Sequence, residues 1–171
     1  MKNLIHKFTF DKHNIIKNKL LDLIDKSPYI KVDDNVDSIS KSDYFITNLN
    51  KEYISYIRPY LTEFMTNELK DFKLNGFIID KMWFQQYHKN DTHKWHTHKY
   101  TNLICIYYVE MPDNNQKTLI KNFGSNDLIE YEAYEGDIIM FPAYLYHSSP
   151  LINSDNRKTI ISFNLDITWN F

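Results

Sequence analysis

From Gly76 to Ile167 the chain is a succession of short runs rich in aromatic and β-branched residues, and this pattern limits the fold more than anything else in the sequence. Phe77 to Tyr87 and Thr101 to Val109 are strong runs, and Thr118 to Phe123 and Leu128 to Tyr134 are weaker ones. Ile138 to Phe141 is short and is entered through Gly136-Asp137; Thr159 to Ile167 alternates cleanly. Short strands of this kind, bounded by polar turns, close into sandwiches or barrels. Ahead of them lie two helical patterns and an opening strand at Ile5 to Phe10. The first helix is expected from an Asp11 cap to about Lys26, with Ile15, Ile16, Leu20, Leu23 and Ile24 on one face, and Ser27-Pro28 stops it. The second runs from about Lys51 to Phe72, kinked or restarted at Pro59, with Leu61, Phe64, Met65 and Leu69 as its buried stripe. Asp33 to Asn50 reads as loop, with a short strand near Tyr44-Phe45-Ile46. The expected fold is mainly β with N-terminal helices, a double-stranded β-helix (jelly roll, cupin-like barrel). The expected organisation is a single domain over 1–171, with mostly helical support to about 75 and the jelly-roll core over 76–168.

At 171 residues, with 43% hydrophobic and 25% charged side chains, the chain has globular composition and enough length for a real core. A formal net charge of -2 with interspersed signs provides no basic stripe, so no nucleic-acid surface is evident. No apolar stretch approaches the ~18 residues that span a bilayer. Charge interrupts Met1 to Lys7 too soon for a secretory segment, so a cytoplasmic protein is expected. The one cysteine, Cys105, sits in the apolar run Leu103 to Ile106 and reads as a buried, inert thiol in a reducing compartment.

Three of the seven histidines fall in Thr92-His93-Lys94-Trp95-His96-Thr97-His98. Were this segment extended, His96 and His98 would share a face and reach one point. Imidazole suits several transition metals, so the pair says metal without saying which. A solvated polar loop is the plain alternative. Further on, Gly136 to Pro142 runs as strand into turn and delivers His147 between Tyr144, Tyr146 and Ser148-Ser149, well placed for a third rigid ligand. The alternative there is a capping or surface histidine. His93 is a possible substitute ligand, whereas His88, His6 and His13 read as surface.

Arg157 lies ten residues after His147, with Thr159 two further on. In a strand, Arg157, Thr159, Ile161 and Phe163 face one side, and Lys158, Ile160, Ser162 and Asn164 the other. If the first set lines the barrel, a guanidinium enters an apolar cavity and requires an anion there. The competing account is a strand-edge arginine paired with Asp155 or Glu110. Tyr87 and Tyr107 are expected to line the cavity near a bound cosubstrate, with Trp83, Phe84 and Tyr144 as further wall.

His96-Thr97-His98, Ile106-Tyr107-Tyr108-Val109, Gly136 to Pro142, His147, Arg157 and Phe163-Asn164 together resemble the 2-oxoglutarate/Fe(II) oxygenases of phage and marine bacteria, distant relatives of the prolyl hydroxylases. The resemblance spans about Phe77 to Ile167 and includes no part of the N-terminal helices. It implies Fe(II) on His96, His98 and His147, with 2-oxoglutarate gripped by Arg157 and Thr159 and ascorbate as a reductant in vitro. It further implies dioxygen as co-reactant, and a hydroxylase acting on an amino-acid side chain or small molecule, in a host cytoplasm if the protein is viral. His98 stands where the wider superfamily has Asp or Glu, Lys99 where close relatives often have Pro, and Ile104-Cys105 where they have Ser-Gly. His98 is therefore either a third ligand or a support behind the ligands. A three-histidine cupin without 2-oxoglutarate shares the Gly136 to His147 segment, but Lys99 to Asn102 lacks the Glu of its first motif. A non-catalytic jelly-roll binding module would need neither metal nor Arg157.

Overall fold

The computed structural model describes residues 4–34, 36–47, 50–72 and 74–169, the last without the side chain of Trp169. The elements run β1 (His6–Thr9), α1 (His13–Asp25), β2 (Ile30–Asp33), β3 (Ser38–Ser42) and α2 (Glu52–Leu69). They continue as β4 (Leu74–Tyr87), β5 (His93–His96), β6 (Leu103–Glu110), β7 (Leu119–Ile120), β8 (Asp137–Pro142), β9 (His147–Ser149) and β10 (Lys158–Trp169). A seven-stranded sheet in the order β1-β8-β6-β10-β4-β3-β2 faces a three-stranded sheet β5-β9-β7, and every pairing is antiparallel. This is the expected jelly roll.

The large sheet divides two cores, and side-chain parity shows the division. On β6, Cys105, Tyr107 and Val109 face the helices, whereas Ile104, Ile106 and Tyr108 face the small sheet. On β10, Ile161, Phe163 and Leu165 take the helix side and Ile160 the barrel side. The helix-side core adds Ile16, Leu20 and Ile24 of α1 and Ile57, Leu61, Met65 and Leu69 of α2. A fully buried aliphatic side chain contributes about 1.5–3 kcal/mol, so this layer supplies much of the stability. Cys105 is free and buried, and burial pushes its thiol upward.

Several elements differ in detail from the sequence expectation. Helix α1 begins at His13 behind Lys12, without a side-chain cap, and Ile15 is 75% exposed. Pro59 lies inside α2, which continues through it as one helix. In the expected loop, the strand forms at Ser38–Ser42, earlier than Tyr44 to Ile46; positions 35, 48 and 49 fall outside the described residues. Leu119–Ile120 is all that forms of the third run, and the fourth contributes only a bridge from Leu128 to Lys121. Gly136 enters β8 at φ 90, where an added Cβ would lie 3.1 Å from His13 Cγ, so both the turn and the close approach require glycine. No described helix is long and apolar enough to cross a membrane.

One buried carboxylate ties α2 to the sheet. Asp43 accepts from Tyr53 Oη at 2.7 Å and the Phe84 amide at 2.8 Å, and pairs with Lys51 Nζ at 2.8 Å. Asp43→Ala strands those donors beneath a helix, and urea unfolding should show a loss of about 3 kcal/mol.

Candidate metal centre and its cavity

Strand β5 ends at His96, which pairs directly across the ladder with His147, the first residue of β9. His98, just beyond β5, is anchored by its amide to the Ala143 carbonyl at 3.0 Å. These contacts converge three imidazoles: ligand nitrogens of His96, His98 and His147 all lie within 4.8 Å of one another. Small rotations bring such nitrogens to the ~2.0–2.1 Å bonding distance seen with zinc. The His96 and His147 rings each point Nδ1 at a backbone carbonyl, Lys94 O at 2.8 Å and Leu145 O at 3.0 Å. A carbonyl only accepts, so Nδ1 carries the hydrogen and Nε2 keeps its lone pair for a metal.

Electrostatics agree with that role. Burial holds His147 well below its usual range, with the neighbouring His96 adding to it, and burial also lowers His96. His98 is pushed down to about 4 by burial and then by His96. All three imidazoles are thus neutral near pH 7, the protonation state a metal requires. His93 packs tilted against His96 with centroids 4.1 Å apart but lies outside the trio, beside Gln85. The donor set fits a divalent transition ion with open positions.

The centre opens into a cavity of about 460 Å³ between the sheets, within the usual range for small-molecule sites. Trp83, Gln85 and Tyr87 of β4 and Ile160, Ser162 and Asn164 of β10 form one wall.

Arg157 lies elsewhere. It binds Glu110 through Nε at 2.8 Å and Nη2 at 3.2 Å, and Asp25 of α1 through Nη1 at 2.9 Å. Thr159 is on the same face and donates to Glu110. The two expected carboxylate-binding residues therefore face the helices, and the strand-edge pairing with Glu110 is the one that forms. Tyr107 also faces the helices, with its hydroxyl 2.7 Å from His13 Nδ1, so His13 is buried rather than at the surface. Of the remaining wall expectations, Tyr87 and Trp83 line the cavity. Phe84 packs edge-on against Tyr53, and Tyr144 is 53% exposed beside Phe123. Arg157→Ala should leave 2-oxoglutarate affinity within about twofold of wild type, by calorimetry, and cost about 1 kcal/mol in unfolding through lost docking of α1.

The opposite face of β10 holds the residue that sequence reasoning passed over. Lys158 pairs with Tyr87 across the β4 ladder and is 0% exposed. Its Nζ donates to Ser149 Oγ at 2.9 Å and lies 5.2 Å from the Tyr87 ring centroid. Among the described residues no carboxylate pairs with it, and burial pushes its ammonium down to about 7. Ser149 is two residues from His147 along β9, about 7 Å by strand rise. A buried amine without a carboxylate partner, one short span from three clustered imidazoles, is costly to keep charged unless an anion joins it. The signal available beforehand was the position itself, since Lys158 heads the other of the two faces of that strand.

No protein-family model matches the sequence, and no curated protein does. The fold and the histidine cluster define a class, the double-stranded β-helix with clustered histidines in the pocket between its sheets. The solved structures it resembles include 2OG-Fe(II) oxygenases and prolyl hydroxylases. A 2OG-Fe(II) oxygenase family oxidoreductase from Burkholderia pseudomallei superposes with TM-score 0.72 at 11% identity, over 95% of this chain and 85% of that one. A prolyl-4-hydroxylase from Pseudomonas putida gives 0.60 at 8%, over 99% and 95%. The viral collagen prolyl hydroxylase of Paramecium Bursaria Chlorella virus-1, as its 2OG complex, gives 0.57 at 12%, over 99% and 98%. At these identities the likeness establishes the fold.

Proposed function

We propose that the chain is an Fe(II)- and 2-oxoglutarate-dependent oxygenase that hydroxylates an amino-acid side chain or small molecule in the cytoplasm. One observation carries the reading: a single cavity is lined by a cluster of three imidazoles and by Ser149 and Tyr87, the two residues against which the buried Lys158 amine rests without a carboxylate partner among the described residues. Its likeness in fold to 2OG-Fe(II) oxygenases supports it.

His96, His98 and His147 would hold the iron. Because all three are neutral, the ion would keep its full charge and attract an anionic oxo acid more strongly than a site with a carboxylate ligand. Lys158, with the Ser149 hydroxyl beside it, would bind the distal carboxylate, and the Tyr87 ring would pack against the ammonium. Ile39, Ile104, Ile106 and Ile160 present an apolar lining that excludes water from the reacting atoms. When bound, Fe(II) and 2-oxoglutarate with dioxygen supply the two-electron oxidation of a C–H bond, coupled to decarboxylation of the oxo acid to succinate.

Anaerobic addition of 2-oxoglutarate to the Fe(II) protein should produce a weak visible charge-transfer band, with matching heat of binding to the zinc form. Tight metal binding with no affinity for 2-oxoglutarate would instead indicate a three-histidine cupin, and no metal binding a non-catalytic module.

A further inference from the structure

The cavity is ordered along one face of β4. At its floor Tyr87 pairs with Lys158; next, Gln85 meets His93; then Trp83 stacks on His98, with centroids 5.5 Å apart at 24°. Lys81 is last, at the lip, on the opposite side of the metal centre from Lys158. Its ammonium lies 3.4 Å from the Tyr44 ring centroid and 5.8 Å from that of Trp83. Tyr44 in turn meets Trp83 and Phe45 edge-on at 5.1 and 5.0 Å. An aromatic ramp therefore runs from solvent to a metal-binding imidazole, with a cation at its head.

Lys81 forms no ion pair among the described residues, and it lines the cavity beside Tyr44 and Trp83. Lys99 and Tyr100 complete the lip; Tyr100 is 97% exposed and held at φ 65, a backbone region that costs a non-glycine residue about 1 kcal/mol. Asp37 is the acidic residue of the lining, and Lys94 neutralises it at 2.9 Å. The mouth is thus locally positive in a chain of net charge -2. Two lysines match one anionic group. A polyanion would need a cation for each phosphate contact, and Asp33 and Asp34 follow directly on Val32 of the same mouth. Deeper in, the Asn164 Oδ1 is buried and makes no well-formed hydrogen bond, its side chain interacting with His98.

We infer that this mouth recognises a small ring-bearing substrate with a single anionic group, a carboxylate or phosphate, held by Lys81 while its ring lies along Tyr44 and Trp83 and presents a C–H bond beside His98. The inference rests on the oxygenase reading for its chemistry, but the site can be tested apart from it. Zinc-loaded protein, with and without 2-oxoglutarate, is titrated calorimetrically with phenylacetate, phenyl phosphate and neutral phenylacetamide. A proline-rich hexapeptide and an oligothymidylate serve as macromolecular probes.

The anions should bind about tenfold more tightly than the amide. Lys81→Met should erase that preference and leave the amide unchanged, and Trp83→Leu should weaken all three. If Trp83→Leu does not fold, Tyr44→Leu at the exposed lip reads the same contact. Lys158→Met should leave the preference intact, which separates the mouth from the floor. Whichever anion binds better identifies the group. Equal binding of amide and anions, indifference to Lys81→Met, or tighter Lys81-independent binding of the peptide or oligonucleotide would overturn the inference. Failure of 2-oxoglutarate to bind the same zinc protein would remove the oxygenase reading and leave the result at the mouth standing.

Discussion

Lys158→Met should weaken 2-oxoglutarate binding by roughly 30- to 1,000-fold, about 2–4 kcal/mol, and at the same time make the ligand-free protein more stable. Both effects have one cause. The wild-type amine is fully buried with a serine hydroxyl and a tyrosine ring for company, and no carboxylate among the described residues pairs with it. Methionine fills the same space without a charge to desolvate. The pH dependence follows from the depressed value of about 7 against an ordinary 10.5. Between these values the unfolded chain holds a proton that the folded chain has released, so stability should rise with pH from about 7 to 10.5 and be flat below. The expected gain is a few kcal/mol across that window. Methionine should remove the slope, and saturating 2-oxoglutarate should flatten it by restoring the ammonium. Melting curves of wild type and variant from pH 6 to 10, with and without 2-oxoglutarate, check this. A wild-type slope that persists in Lys158→Met would assign it to another group.

The second large effect concerns His98. Removing one of three ligands from a site of roughly 10 kcal/mol should cost about 3 kcal/mol, so His98→Ala should lose about 100-fold in zinc or cobalt affinity. His98→Asp recreates the two-histidine, one-carboxylate set and should recover metal affinity to within about tenfold of wild type. The added negative charge should, however, weaken 2-oxoglutarate binding relative to wild type. His93→Ala, altering a ring that packs on His96 and meets Gln85 but lies outside the trio, makes the control. Unchanged metal affinity in His98→Ala would reduce His98 to a supporting role.

The jelly roll was legible because its signals are local. Alternation within Thr159 to Ile167 and the turn at Gly136-Asp137 mark strands wherever they pack, and the spacing of His96, His98 and His147 holds for any extended segment. Which face of a strand meets the cavity was not legible. Strand β10 is buried on both sides, with Ile161, Phe163 and Leu165 toward the helices and Ile160, Ser162 and Asn164 toward the pocket. With both faces buried, alternation marks the strand without saying which face meets the cavity, and an error of one residue exchanges every side chain. That exchange put Arg157 and Thr159 where Lys158 belongs, and the same ambiguity on β6 misplaced Tyr107. Of the partners that settle Arg157, Glu110 was one of the two that the sequence offered, whereas Asp25 lies 132 residues away, beyond the reach of any local pattern. His13 was lost similarly, because its burial comes from Tyr107 and Gly136, both far along the chain.

The seven-stranded sheet also works as a partition wall. Its back is fixed to α1 and α2 by a dense apolar layer, so the residues that hold the chain folded are largely not those that meet a ligand. Selection acting on Lys81, Trp83 or Gln85 can therefore reshape what the pocket admits without dismantling what keeps it standing. Such a separation lets one scaffold acquire new substrates by small steps.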